Sequence, residues 1–239
     1  GLNPLLRPTP GGLQYYAPII NENLYTNLWK GPYYGFRELI ETFELTDSPR
    51  RLRGLHLYYH FYSSTKQASI KAMHEIYGYM REQQPMSLWM TDYIDRLHGL
   101  YQSSLARTAD GAWQIRGMDA LRTVRLDAQM GWPDLLKSQG IAGVRDLPQG
   151  RYVALSSDRA LLALRADRDP RPALEEANVP LLDWRYLDDR RVSFSFAGQF
   201  DLTFSVRSAT ACRVEVDGQR FAGKASAGLW TFQLPMKQV

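Results

Sequence analysis

The sequence predicts an α/β segment, the closing βα units of a partial parallel barrel, followed by an all-β domain built as an antiparallel sandwich. Three observations predict it. Strand-like and helix-like stretches alternate through residue 104, the order of parallel βαβ units. Beyond that point, about ten short stretches are separated by turn signals, the spacing of a β-sandwich. Composition changes at the same place: twelve of the fourteen tyrosines lie in residues 1–104, while sixteen of the twenty-three arginines lie after it. A domain boundary between 1–104 and 105–239 is therefore expected.

In the first half, Gln14–Ile20 reads as a strand with Pro18 at an end or bulge. Pro32–Leu45 carries Phe36, Leu39, Ile40 and Phe43 on one face of a helix, and Thr46-Asp47-Ser48-Pro49 ends it. Leu55–Phe61 reads as a second strand. Lys66–Gln83 reads as a helix burying Ile70, Met73, Tyr77 and Met80. Ser87–Met90 reads as a third strand, and Thr91 is placed to N-cap a last helix ending at Gly99. Three βα units cannot close a barrel, since the common small barrel takes about eight strands.

In the second half, Leu105–Thr108 and Trp113–Gly117 flank the turn Ala109-Asp110-Gly111. Arg151–Ser156 is expected to pair with Ala160–Arg165, and Leu181–Leu187 with Val192–Ala197. Strict alternation in Val192, Phe194, Phe196 and in Leu202, Phe204, Val206 gives each strand one buried face. Val214 and Val216 lead into Asp217-Gly218, a type I′ hairpin signal, and Leu229–Leu234 is the last strand. Pro133–Ser138 reads as a helical turn.

Composition removes several functions. The 239 residues are 44% hydrophobic and 23% charged, a globular balance. No apolar run approaches the roughly 18 residues that span a bilayer, so no membrane span is expected. The net charge is +4 with both signs interspersed, and Arg50-Arg51-Arg53 is the densest basic group. No nucleic-acid partner is therefore expected, because such proteins concentrate Lys and Arg in a stripe. Cys212 is the one cysteine, which excludes an internal disulfide and a cysteine-based zinc site. The opening Gly1-Leu2-Asn3-Pro4 reads as the start of a piece of a longer polypeptide.

The chemistry-bearing residues gather in the first half. His74 and His98 fall within helices and read as structural. His56 and His60 have the spacing H-x-x-x-H, but on a strand four residues span roughly 13 Å, too far to share a metal. His60 instead falls at the carboxyl end of the expected strand, beside Tyr62-Ser63-Ser64-Thr65. That is the rim where α/β enzymes place reactive groups, and an imidazole there suits proton transfer near neutral pH. A rim histidine bonded to a neighbouring loop explains it equally. Asn21, Glu22, Asn23 and Trp29 form a second rim group after the first strand. Flat rings stack on the apolar face of a sugar while amides meet its hydroxyls; plain packing is the other reading. Trp113, Trp132, Trp184 and Trp230 are read as core, with a sugar-stacking platform as the alternative. No phosphate loop or nucleophile elbow occurs, and Glu22 alone is not the carboxylate pair of a glycosidase.

Pro18-Ile19-Ile20-Asn21-Glu22-Asn23-Leu24-Tyr25-Thr26-Asn27-Leu28-Trp29 and Leu57-Tyr58-Tyr59-His60-Phe61-Tyr62-Ser63 together resemble the C-terminal portion of the PelA family. These are periplasmic hydrolases and deacetylases of Pel exopolysaccharide production, and their deacetylase domain is similar to the polysaccharide deacetylases, distorted (β/α) barrels. The resemblance is clearest over residues 15–103. It implies that Leu57–His60 is the family's last motif, with His60 the catalytic general acid toward the departing amine. It also implies substrate contacts from Asn21, Glu22, Asn23, Trp29 and Tyr58. The family's metal site and general base lie in motifs of the type T-F-D-D and H-[ST]-x-x-H, and neither occurs here.

What the resemblance implies is a share in a periplasmic, biofilm-matrix enzyme that removes acetyl groups from N-acetylhexosamine units of an exopolysaccharide. Its cofactor would be a divalent metal, zinc, in the parent enzyme, with none bound by this chain alone. Its partners would be the exopolysaccharide and the pathway's tetratricopeptide outer-membrane export protein. The alternative is a non-catalytic module that binds carbohydrate or docks on the export complex.

Overall fold

A computed structural model describes residues 5–16, 38–47, 54–59, 61–65, 67–198 and 200–235. The chain divides into two compact units, Gly1–Pro85 and Met86–Val239.

In the first unit, β1 (Leu5–Thr9) and β2 (Gly12–Tyr16) form an antiparallel hairpin pairing Leu5 with Tyr16 and Thr9 with Gly12. Of the strand expected at 14–20, the part up to Tyr16 thus belongs to β2, and the rest lies outside the described residues. Helix α1 (Glu38–Leu45) buries Leu39 and Phe43 as its periodicity requires. Helix α2 (Gln67–Glu82) ends ahead of Pro85, but its buried stripe is Ser69, Ala72, Met73, Ile76 and Met80. Ile76 therefore takes the core position expected for Tyr77, which is exposed. Leu39, Phe43, Ala72, Ile76 and Met80 make one small core, with Leu55 and Leu57 packed against it.

The strand expected at Leu55–Phe61 does not form. Gly54–Tyr59 has no strand assignment, and Phe61 opens a 3₁₀ turn, Phe61–Thr65. Alternating apolar residues require a buried face, and here α1 and α2 supply it in place of neighbouring strands. Ser87–Met90 is not a strand either. Met90 is the first residue of α3 (Met90–Gln102), Trp89 is its N-cap in place of Thr91, and Asp92 Oδ2 accepts the Trp89 N–H at 3.3 Å. The helix runs through Gly99 to Gln102, because Gly99 is a contact point and not a terminator. A Cβ there would overlap the Met118 carbonyl oxygen and lie 2.7 Å from Leu121 Cβ. Among the described residues of 1–104, the one ladder is the antiparallel β1–β2 pair, so no parallel βαβ unit is formed there.

The second unit is mostly β. Its strands are β3 (Ser104–Arg107), β4 (Trp113–Arg116), β5 (Thr123–Leu126), β6 (Trp132–Pro133), β7 (Ile141–Leu147), β8 (Gly150–Leu155), β9 (Ala160–Leu162), β10 (Leu164–Arg165), β11 (Ala173–Ala177), β12 (Leu181–Tyr186), β13 (Val192–Phe196), β14 (Leu202–Arg207), β15 (Arg213–Val216), β16 (Gln219–Ala222), β17 (Lys224–Ser226) and β18 (Leu229–Leu234). Seven of them make one mixed sheet in the order β17-β18-β14-β11-β7-β8-β5, antiparallel except for β11 against β7. Four smaller sheets accompany it: β3-β4-β9, β12-β13, β15-β16 and β6-β10.

The two cores of this unit show how the sheets stack. Val144, Val153 and Leu155 of the large sheet pack with Ile115 and Leu162 of β3-β4-β9. Ala142, Leu174, Phe204 and Phe232 pack with Trp184, and Phe194 and Phe196 of β12-β13 join them. Val153 and Ala154 of β8 thus point into different cores, as successive strand residues must. The aromatic stack is close: Phe204 lies 5.2 Å from both Phe194 and Phe232.

The expected β12–β13 pairing is observed, as are β3–β4 and β18; Leu202, Phe204 and Val206 of β14 share a buried face as expected, but Ser205 on the opposite face is buried as well. Asp217 and Gly218 both have positive φ, as a type I′ turn requires. The pairing expected between residues 151–156 and 160–165 is not observed. Both edges of β8 are occupied, by β7 and β5, so β9 crosses to pair with β4. Pro133–Ser138 is a turn closed by Asp134, whose Oδ1 accepts the N–H groups of Leu136 and Lys137 at 3.1 Å. Among the described residues, no helix is long and apolar enough to cross a membrane.

Candidate functional site: the aromatic segment before α2

Five of the six residues singled out from the sequence, His60, Asn21, Glu22, Asn23 and Trp29, lie outside the described residues. Tyr58 is described, and it is exposed. It belongs to a run in which apolar contact and exposure are divided by position. Leu55, His56 and Leu57 are half-buried, with the two leucines against the helical core. Tyr58 and Tyr59 then turn outward, and Phe61 and Tyr62 follow in the 3₁₀ turn, Phe61 at 95% exposure. The turn is closed by Thr65, whose hydroxyl donates to the Tyr62 carbonyl at 2.7 Å.

Helix α2 adds a fifth ring. Tyr77, displaced from the core by Ile76, is hydrogen-bonded to Tyr59, and burial together with that bond pushes its hydroxyl up to about 12. The Tyr77 hydroxyl therefore stays protonated at neutral pH and can donate as well as accept. The bond ties Gly54–Tyr59 to the helix that follows it. Tyr59, Phe61, Tyr62 and Tyr77 were given no role of their own in the sequence reading of the site. The signal was present for the first three, as the unbroken run Tyr-Tyr-His-Phe-Tyr, but periodicity had assigned Tyr77 to the core.

Burial lowers the pKa of His56, so its imidazole is neutral at pH 7. His74 is exposed on α2, and His98 is half-buried on α3. Among the described residues, no three His, Cys, Asp or Glu side chains are grouped to hold a metal ion. The described side chains do not fit the divalent metal of the polysaccharide deacetylases. The four tryptophans read as core serve packing: Trp184 is buried in one core, Trp113 and Trp230 pack against the cores, and Arg151 lies 4.0 Å over the ring of Trp132.

Exposed aromatic rings carrying hydroxyls can stack on a pyranose and hydrogen-bond its edge, and neutral phenols do so without selecting for charge. Comparison with protein-family models, with curated proteins and with solved structures gave no match to this chain.

Proposed function

We propose that this chain is the C-terminal part of a periplasmic polysaccharide N-deacetylase of the PelA type, acting on N-acetylhexosamine units of an exopolysaccharide. The observation that carries the reading is the aromatic segment itself. Tyr58, Tyr59, Phe61 and Tyr62 are exposed on either side of position 60, where the resemblance expects the general acid. A contiguous group of exposed rings is the kind of surface that marks a binding site. In this reading His60 gives a proton to the departing nitrogen, leaving a free amine on the sugar. Tyr58, with Asn21, Glu22, Asn23 and Trp29, holds the sugar. The deacetylase barrel, and the zinc that activates water in that family, belong to the parent enzyme. We read the second unit as the β-sandwich that follows the catalytic domain.

The test uses the full-length parent enzyme. Replacing His60 by Ala should lower kcat by roughly 10²–10⁴, the range for a lost acid catalyst. Unchanged turnover would remove His60 from the mechanism. Residues 1–239 alone should release no acetate from an acetylated hexosamine oligomer, and release would contradict the assignment of the metal site elsewhere.

A further inference from the structure

Asp169 and Pro170 are the chain's single Asp-Pro pair. A peptide bond of this kind is unusually labile in acid, and both residues contribute. The aspartate carboxylate reaches its own backbone carbonyl carbon by closing a five-membered ring, so the attack is intramolecular. The proline nitrogen carries an alkyl group in place of hydrogen, takes a proton more readily than an ordinary amide nitrogen and leaves more easily.

In the folded chain this nucleophile is fully engaged. Asp169 lies between β10 and β11, its side chain 4% exposed. Oδ1 accepts the backbone N–H of Arg171 at 3.1 Å and Arg171 Nε at 3.2 Å. Oδ2 accepts the Leu135 N–H at 2.9 Å and Arg171 Nη2 at 3.1 Å. Oδ1 thus reaches across Pro170 to the next residue, an Asx turn that keeps the carboxylate beside the bond it would break. The four donors act the other way. Each draws charge from an attacking oxygen, and the Leu135 N–H pins the group to a distant segment, so it cannot swing onto its own carbonyl.

We propose that Asp169–Pro170 is a latent site of self-cleavage, held closed in the folded chain by Arg171 and the Leu135 N–H. Once those donors are withdrawn, a carboxylate oxygen of Asp169 attacks the Asp169 carbonyl carbon and closes a cyclic anhydride. The bond from that carbon to the Pro170 nitrogen breaks, and the nitrogen takes a proton from the medium. Water then opens the anhydride, leaving Asp169 as a new C-terminus and Pro170 as a new N-terminus. The cut falls inside one sheet. Strands β5, β8 and β7 stay on one piece and β11, β14, β18 and β17 on the other, meeting at the parallel β7–β11 ladder. Ala142 of the first piece shares a core with Leu174, Phe204 and Phe232 of the second, so a molecule cut here stays assembled while it stays folded. This inference is independent of the aromatic segment and of the function proposed for it.

Intact-mass measurement on residues 1–239, held at about pH 4 with and without denaturing urea, tests it; unfolded aspartates are about half ionised there. The denatured chain should yield residues 1–169 and 170–239. The native chain should do so at least about tenfold more slowly, since cutting follows the fraction of molecules that are open. Pieces formed from native protein should co-elute on size exclusion and separate only on denaturation. Asp169→Glu, whose ring would have six members, should lose the cut in the denatured chain. Arg171→Met should be cut several-fold faster than wild type brought to the same unfolded fraction with urea, which separates release of the carboxylate from loss of stability. Equal rates for native and denatured wild type would overturn the inference, as would a cut that persists in Asp169→Glu or an Arg171→Met rate equal to its matched control. If Arg171→Met does not fold, the comparison of native with denatured wild type decides alone.

Discussion

At the scale of single residues, the second unit depends on a few buried charges whose partners are complete. Asp169 is the clearest. Its side chain is 4% exposed and accepts the Leu135 N–H at 2.9 Å, the Arg171 N–H at 3.1 Å, and both Nε and Nη2 of Arg171. Burial pushes its carboxyl up, but the Arg171 side chain and the two backbone donors outweigh this and hold it below the ordinary range. The carboxylate fastens the turn after Pro133 to the segment before β11. Asp169→Asn should therefore cost about 2–3 kcal/mol and lower the Tm by roughly 5–10 °C. Because the folded pKa is depressed, the stabilisation is present above the unfolded value, about 3.9, and is lost as pH falls through the folded one. The variant should accordingly lose less stability than the wild type on acidification below about pH 4. His56 acts in the opposite pH range. Its folded pKa lies below 6.5, so the unfolded chain binds the proton more readily, and the first unit should lose stability as pH falls below about 6.5. Urea titrations at pH 7.5, 6.5 and 5.5 should show that loss in the wild type and a flatter profile in His56→Gln.

At the scale of elements, legibility depended on whether the determining contact was local. The limits of α2 were readable to within a residue, because its period and Pro85 are both in the sequence. Its buried face was not, since Tyr77 and Ile76 fit the same helical stripe and tertiary packing chose the smaller side chain. Leu55–Phe61 had the alternation of a strand, but alternation reports only a buried face, and the helical core provided it. The hairpin β15–β16 was legible from Asp217-Gly218 alone. Strand β7 was not legible: it is buried on both faces, so Ile141-Ala142-Gly143-Val144 has no alternation to read. Gly143 also fixes its place in the sheet. A Cβ there would overlap the Leu174 carbonyl oxygen and lie 2.7 Å from the Leu174 carbonyl carbon, at the paired position of the parallel β7–β11 ladder. Gly143→Ala should therefore separate β7 from β11 and destabilise the second unit by roughly 3 kcal/mol or more, the range for backbone clashes in a core. A variant with an unchanged denaturation midpoint would show that the two strands are not in this close register.

At the scale of the whole molecule, the tyrosine-to-arginine change in composition and the division of contacts mark different features. The compact units meet between Pro85 and Met86, ahead of α3, whereas the composition changes after it. The helix is rich in the residues of the first half yet packs in the second. Leu97 is fully buried, and Gly99 lies against Met118 and Leu121 at the edge of the core that contains Met118, Ile115 and Leu155. Composition records which residue types an element uses, whereas contacts decide which core it completes. Two truncations separate these. Residues 86–239 should unfold in a single cooperative transition and retain the Tm of the second unit in the intact chain. Residues 105–239 lack α3 and expose Met118 and Leu121, a loss of buried apolar side chains worth about 1.5–3 kcal/mol each. That fragment should melt several degrees lower and bind a hydrophobic dye that the longer one excludes. Equal melting temperatures would mean that α3 rests on the sheet without stabilising it, and would move the functional boundary of the β unit back to residue 105.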